Sequence, residues 1–240
     1  MRKLLMGAVI ASASLVLAGA AIAQTANDAS LKVTLSPSKA GTKEKPKSHS
    51  LRTQLTVEKP GTTVGVIQLG LSKGLKFSGK GFKKCDKETL IAGGPTACPD
   101  GSAAGPMGSA LAAIEPANTP LQLDIYPFVG ANNTFYIYVD TLPYGLAIQD
   151  VLTGEITNKG RKMRITIPDA LRQPVEGLDA TLKEIDQTFS GKRGKNGIVT
   201  STTCKNKKHK VTGTLEFAPR LDGNPVPEPD SISAKAKCKK

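Results

Sequence analysis

Glu184 and Asp186 are two residues apart in a run, Ala180–Ser190, that reads as a β-strand. Residues i and i+2 of a strand share a face, so the two carboxylates would stand side by side. Paired carboxylates about 5–5.5 Å apart are what a retaining glycosidase needs, one as nucleophile and one as acid/base. The competing reading is an acidic pair on a solvent-facing strand. His49 falls in a Lys/Pro/Ser-rich connector, Pro37–Ser50, read as a basic loop, and His209 in Lys207-Lys208-His209-Lys210. No G-x-S-x-G nucleophile elbow and no H-E-x-x-H metal motif accompanies them. The reading is therefore of a non-enzyme, with no catalytic residue, metal or cofactor assigned.

The Glu184-Ile185-Asp186 spacing resembles the start of the E-x-D-x-(x)-E pattern of laminarinase-type glycosidases, which are also sandwiches. Thr188 and Phe189 stand where that pattern has its third acid, and the chain has no Trp to stack a sugar. The acidic pair is accordingly read as surface.

Aromatic side chains offer a binding surface instead. In the hairpin Leu121–Val129 and Thr134–Thr141, turned by Gly130-Ala131-Asn132-Asn133, aliphatic Leu121, Leu123 and Ile125 share one face. Tyr126 and Phe128 take the other, as do Tyr136 and Tyr138 on the second strand. If the aliphatic set is core, Tyr126, Phe128, Tyr136 and Tyr138 form an outward platform suited to sugar rings or extended peptides. The alternative is a central hairpin covered on both faces.

The four cysteines allow three pairings. Neither pair has C-x-x-C spacing, and histidine is scarce, which disfavours zinc. Cys85–Cys98 and Cys204–Cys238 are the favoured bridges, since near pairs leave two independent clasps. Cys204 is in phase with Ile198, Thr200 and Thr202, and Cys238 with Ile232, Ala234 and Ala236, which suits a buried bridge between strands. The opposite face of the last strand carries Lys235, Lys237 and Lys239, read as protection of a sheet edge.

The elements that must position these groups are short and strand-like. Leu31–Ser36, Leu51–Val57, Thr62–Leu71, Ser109–Glu115, Gly145–Gly154, Arg161–Ile167, Val211–Ala218 and Ser231–Lys239 follow the period-two or apolar pattern of strands. Asp86 caps one helical turn over Lys87–Ala92, closed by Gly93-Gly94-Pro95. Turn signals recur about every ten residues, so the expected fold is all-β: a mainly antiparallel β-sandwich of about ten to twelve strands, jelly-roll or immunoglobulin-like, with two disulfides. Residues 31–240 are read as one domain, with a division near 115–119 as the alternative.

Residues 1–23 read as a signal peptide: charged Met1-Arg2-Lys3, an apolar run to Leu17, and Ala21-Ile22-Ala23 as cleavage site. A short polar segment, 24–30, follows, and no later segment is apolar enough for a membrane-crossing helix. Net charge is +13. The positive charge is read as dispersed over loops and the C-terminus. In an exported chain it implies attraction to anionic cell-wall polymers or other polysaccharide, and the absence of a recognition motif argues against nucleic acid.

Gly79-Lys80-Gly81-Phe82, Cys85, Gly93-Gly94, Cys98-Pro99-Asp100-Gly101-Ser102 and Gly105 together resemble a group of uncharacterised secreted proteins of soil actinobacteria. The resemblance covers about 30 residues closely and implies an exported β-sandwich; it brings no catalytic or binding residues with it. The expected role is an exported non-enzymatic binding or structural protein of the cell envelope or extracellular space. A carbohydrate-binding module or divergent glycosidase is the alternative.

Overall fold

The computed structural model describes residues 29–240; the signal peptide expected over 1–23 and most of the polar segment after it lie outside the described residues. Alternation of buried and exposed side chains produces the first strands: β1 (Ala29–Ser36), β2 (Lys47–Val57), β3 (Thr63–Leu71) and the short β4 (Leu75–Phe77). After α1 (Lys87–Gly93) come β5 (Gly108–Ile114), β6 (Thr119–Val129), β7 (Thr134–Asp140), β8 (Gln149–Thr157) and β9 (Lys162–Thr166). These five form a meander in which each strand pairs antiparallel with the next. Glu115–Asn118 is the turn between the paired β5 and β6, so the sheet runs unbroken through the region considered for a division.

The meander is flanked on both sides. Next to β9 lies β3, then β14 (Lys208–Ala218) and β15 (Asp230–Lys237). Next to β5 lies β10 (Ala180–Phe189), then β2 and β1. Getting from β9 to β10 requires crossing one end of the meander, and the crossing carries α2 (Asp169–Arg172). Phe189 pairs with Leu51 and Val199 with His49, so β10 and β13 (Val199–Ser201) lie on one line against β2. The line is interrupted by a small hairpin of β11 (Lys192–Arg193) and β12 (Asn196–Gly197). The two outermost strands are joined where Lys239 donates to Ser38 O at 2.7 Å and Ala40 donates to Lys239 O at 2.8 Å.

The fold is thus an all-β, mainly antiparallel sandwich: thirteen strands in one sheet folded over its own core, with the β11–β12 hairpin apart. Among the described residues there are fifteen strands rather than ten to twelve, and four of the fifteen have two or three residues each. The core packs Phe77, Phe135 and Phe189 edge-on or stacked at 5.5–6.1 Å, surrounded by Leu51, Val129, Met163 and Val211. Two boundaries move for local reasons. The strand expected from Gly145 begins at Gln149, because Gly145 has φ +92° and closes a turn over Leu142–Tyr144. The connector expected over Pro37–Ser50 already becomes strand at Lys47.

Candidate functional site

The disulfides are Cys85–Cys98 and Cys204–Cys238, as the near pairing predicts, and among the described residues no cysteine is free. The first bridge decides the fate of the aromatic hairpin. Asp86 Oδ1 accepts the Thr89 amide at 2.7 Å, which caps α1 and orients its single apolar inward residue, Leu90. The Cys85 amide donates to Val129 O at 2.9 Å, pinning the start of the clasp to the end of β6. Leu90 and Cys85 then lie over Phe128, Tyr138 and Val151 in a small apolar cluster of their own.

The four aromatic residues therefore do not form an open platform. Tyr126 faces Tyr138 and Phe128 faces Tyr136 across the hairpin, as the alternation requires. Phe128 and Tyr138 are buried under the clasp, and Tyr126 and Tyr136 are half-buried at its margin. The correction has a simple cause. A helical turn carrying one leucine, held by a disulfide, removes the largest part of that apolar surface from water.

Beside the covered rings, the same face turns polar. Asp124 and Asp140 are directly opposite across β6 and β7. The Tyr144 hydroxyl donates to Asp124 Oδ1 at 2.9 Å and accepts from Gln122 Nε2 at 3.1 Å. Asp140 Oδ1 accepts the Leu142 amide at 2.9 Å. Desolvation, with the Asp124 and Asp140 charges next, holds the Tyr126 hydroxyl above its ordinary pKa. The two aspartates could have been found from the hairpin register, which the sequence reading used only for aromatics.

Glu184 and Asp186 do share an outer face of β10, but they do not act as a pair. Arg52 holds Asp186 in a two-pronged ion pair, with Nε to Oδ1 at 2.8 Å, and Gln54 Nε2 donates to Oδ2 at 3.1 Å. The guanidinium hydrogen bond is the main cause that keeps Asp186 below the ordinary carboxylate range. Glu184 stays exposed.

The histidines depart from the sequence reading. His49 is on β2, not in a loop, and both His49 and His209 are buried. His49 Nε2 contacts Ser201 Oγ at 2.6 Å, and Nδ1 contacts Pro37 O at 2.6 Å. A serine, a histidine and an acceptor in line have the outline of a hydrolytic dyad. Ser201 is 0% exposed, however, so no substrate can reach it. Burial lowers the pKa of both imidazoles, in His209 with the charge of His49 as a second cause.

Part of the basic charge is gathered on one sheet face. On the outer face of β15, β14, β3 and β9, Lys237 is opposite Lys208 and Lys235 opposite Lys210. Lys210 is followed across the sheet by Ser72, and Lys162 is opposite Gly70. Further along the same face the charges cancel: Arg164 binds Glu216 through two hydrogen bonds of 2.6 and 3.0 Å. A hollow of about 190 Å³ opens at the basic end, walled by Ser72, Asn158, Arg161, Lys162, Lys210 and Thr212. Gly70 makes room for it, since a Cβ there would stand 2.4 Å from Thr212 Oγ1. No carboxylate lines this hollow.

Among the described residues no cluster of three or more His, Cys, Asp or Glu side chains could hold a metal, and no helix is long and apolar enough to cross a membrane. No protein-family model matches the chain, and no curated protein does. Solved structures similar over most of the chain include two of low identity. One is a collagen-binding domain from a Staphylococcus aureus adhesin, at 8% identity and a TM-score of 0.38, covering 89% of this chain and 99% of that one. The other is AvmM, which catalyses macrocyclization in alchivemycin A biosynthesis, at 7% identity and a TM-score of 0.27, covering 90% of this chain and 92% of that one. At these scores neither likeness bears on ligand or activity.

Proposed function

We propose that the protein is an exported, non-enzymatic binding protein that holds anionic polymer of the cell envelope on the lysine face of β14, β15, β3 and β9. The observation that carries the reading is the acid-free hollow bounded by Arg161, Lys162 and Lys210, with hydroxyls from Ser72 and Thr212 beside the charges. Cations and hydroxyl donors converging on one concavity match a phosphate or carboxylate repeat. The paired lysines on β14 and β15 extend the positive field along the strands beyond the hollow. Two disulfides fit an oxidising, extracytoplasmic setting.

The experiment is retention on immobilised poly(glycerol phosphate) and on neutral cellulose, each at low and high salt. Salt-sensitive retention on the phosphate polymer alone is expected, because exposed charges separated by more than a Debye length are screened. The variant Arg161→Glu/Lys210→Glu should lose at least tenfold in affinity without a change in fold. Salt-resistant, sugar-competed retention on cellulose would move the function to the Tyr126 and Tyr144 face. Retention on neither, or release of reducing sugar, would overturn the proposal.

A further inference from the structure

The crossing from β9 to β10 places Leu171 and Arg172 of α2 over one end of the sandwich, and behind them the core is not filled. A cavity of about 120 Å³ lies there, its wall made of inward side chains such as Leu123, Ile137, Leu152 and Leu182. Interiors are ordinarily packed to crystal density, with few voids larger than a water. Leu152, Ile167, Leu171, Leu182 and Ile185 all keep accessible surface although they line the interior.

Three polar side chains interrupt the apolar wall: Thr53, whose hydroxyl donates to Gln187 O at 3.2 Å, and Arg172 and Gln187, each of which has an atom without a partner. Arg172 Nη2 is engaged by Asp169, while Arg172 Nε is out of solvent and has no acceptor. Gln187 is 3% exposed; its Nε2 donates to Pro106 O at 3.1 Å and Thr188 O at 2.8 Å, and its Oε1 accepts from nothing. Buried polar atoms in native folds are nearly always satisfied, so such orphans on a cavity wall need an explanation. Along β10, Ala180 follows the α2 crossing and Gln187 is near the far end, so Arg172 and Gln187 lie toward opposite ends of the space.

We propose that this cavity binds a small apolar carboxylic acid, its hydrocarbon body among the leucines and isoleucines and its carboxylate against Arg172. A carboxylate supplies the acceptor that Arg172 Nε lacks, in the charge-assisted form that guanidinium favours. The body is limited to about six carbons, since apolar cavities of comparable size take a benzene-sized guest. Gln187 Oε1 would accept a hydrogen bond from a donor at the far end of the guest.

The test compares hexanoate, hexan-1-ol and hexylammonium on the intact protein, read by methyl NMR shifts of Leu123, Leu152 and Leu182 and by thermal midpoint. Hexanoate is expected to shift those methyls and raise the midpoint, and hexan-1-ol to bind at least tenfold more weakly. Arg172→Gln should erase that preference while the protein stays folded. Ala112→Leu, which fills the cavity from β5, should abolish binding and keep or raise the midpoint. Equal binding of acid and alcohol would overturn the role of Arg172. No methyl shift with any guest, with Ala112→Leu still raising the midpoint, would show an empty packing defect. The outcome is independent of the polymer experiment, which reads the outer face.

Discussion

Lys210 and Lys235 stand directly opposite each other across β14 and β15, both exposed, with Lys208 and Lys237 as a second such pair two residues along. Like charges in directly opposed positions of an antiparallel pair are destabilising. A face that keeps two such pairs side by side is held at a cost to stability that an anionic ligand would offset.

Lys210→Glu is therefore expected to raise stability while weakening binding. The new Glu–Lys235 pair should add about 0.5 kcal/mol, the usual scale for opposite charges across strands. Urea denaturation at low salt measures the gain, and retention on poly(glycerol phosphate) measures the loss. A variant that is less stable, or binds as tightly as the parent, contradicts the assignment.

Stability should fall with mild acid. Burial keeps the imidazoles of His49 and His209 below their ordinary value, so as pH drops the unfolded chain takes up these protons first. Their contribution is complete above the unfolded value of about 6.5 and is lost as pH falls below it toward the folded values. The thermal midpoint is expected to be level from pH 8 to 7 and to decline from about pH 6.5 downward. His209→Leu should make the decline shallower, since His209 Nε2 has no partner to lose.

Asp179 is buried and ties the crossing after α2 to the segment after β14: it accepts the Leu221 amide at 2.9 Å and lies 3.9 Å from Arg220 Nε. Asp179→Ala removes the acceptor of the Leu221 amide and the longer of two carboxylate contacts to Arg220, whose Nε keeps Asp222 at 2.9 Å. Leaving a buried donor without its acceptor costs about 1–3 kcal/mol, readable as a lowered urea midpoint. Asp179→Asn, which keeps an acceptor for the Leu221 amide, should recover most of the loss.

The two clasps should differ in what they protect. Chain-entropy arguments give about 3 kcal/mol for the 13-residue separation of Cys85–Cys98 and about 4 kcal/mol for the 34-residue separation of Cys204–Cys238. Cys85→Ser/Cys98→Ser should also uncover Tyr138, seen as a change in near-ultraviolet circular dichroism and tyrosine accessibility. Cys204→Ser/Cys238→Ser should leave that signal unchanged.

Much of this architecture is legible locally. Period-two alternation found Met163 and Ile165 inward against Lys162 and Arg164, and cysteine phase found the Cys204–Cys238 bridge. What the sequence hid depends on distant partners. His49 reads as loop because Lys and Pro crowd the preceding residues, yet β13 and Ser201, 152 positions later, make it core. Lys162, Lys210 and Lys235 belong to three separate segments, and only the order β15–β14–β3–β9 gathers them. The aromatic hairpin shows the same limit: alternation places Phe128 and Tyr138 on one face, and nothing within the hairpin tells that Leu90 will cover it.

The join between Lys239 and the Ser38–Ala40 backbone has a consequence for how the chain is made. Lys239 follows Ser38 by about 200 residues in the chain, so the seam cannot close until β15 and the segment after it have been made. Until then the segment after β1 lacks that backbone partner. Deleting 236–240 should leave a protein that retains the meander and the Cys85–Cys98 loop but is cut readily by protease along β1.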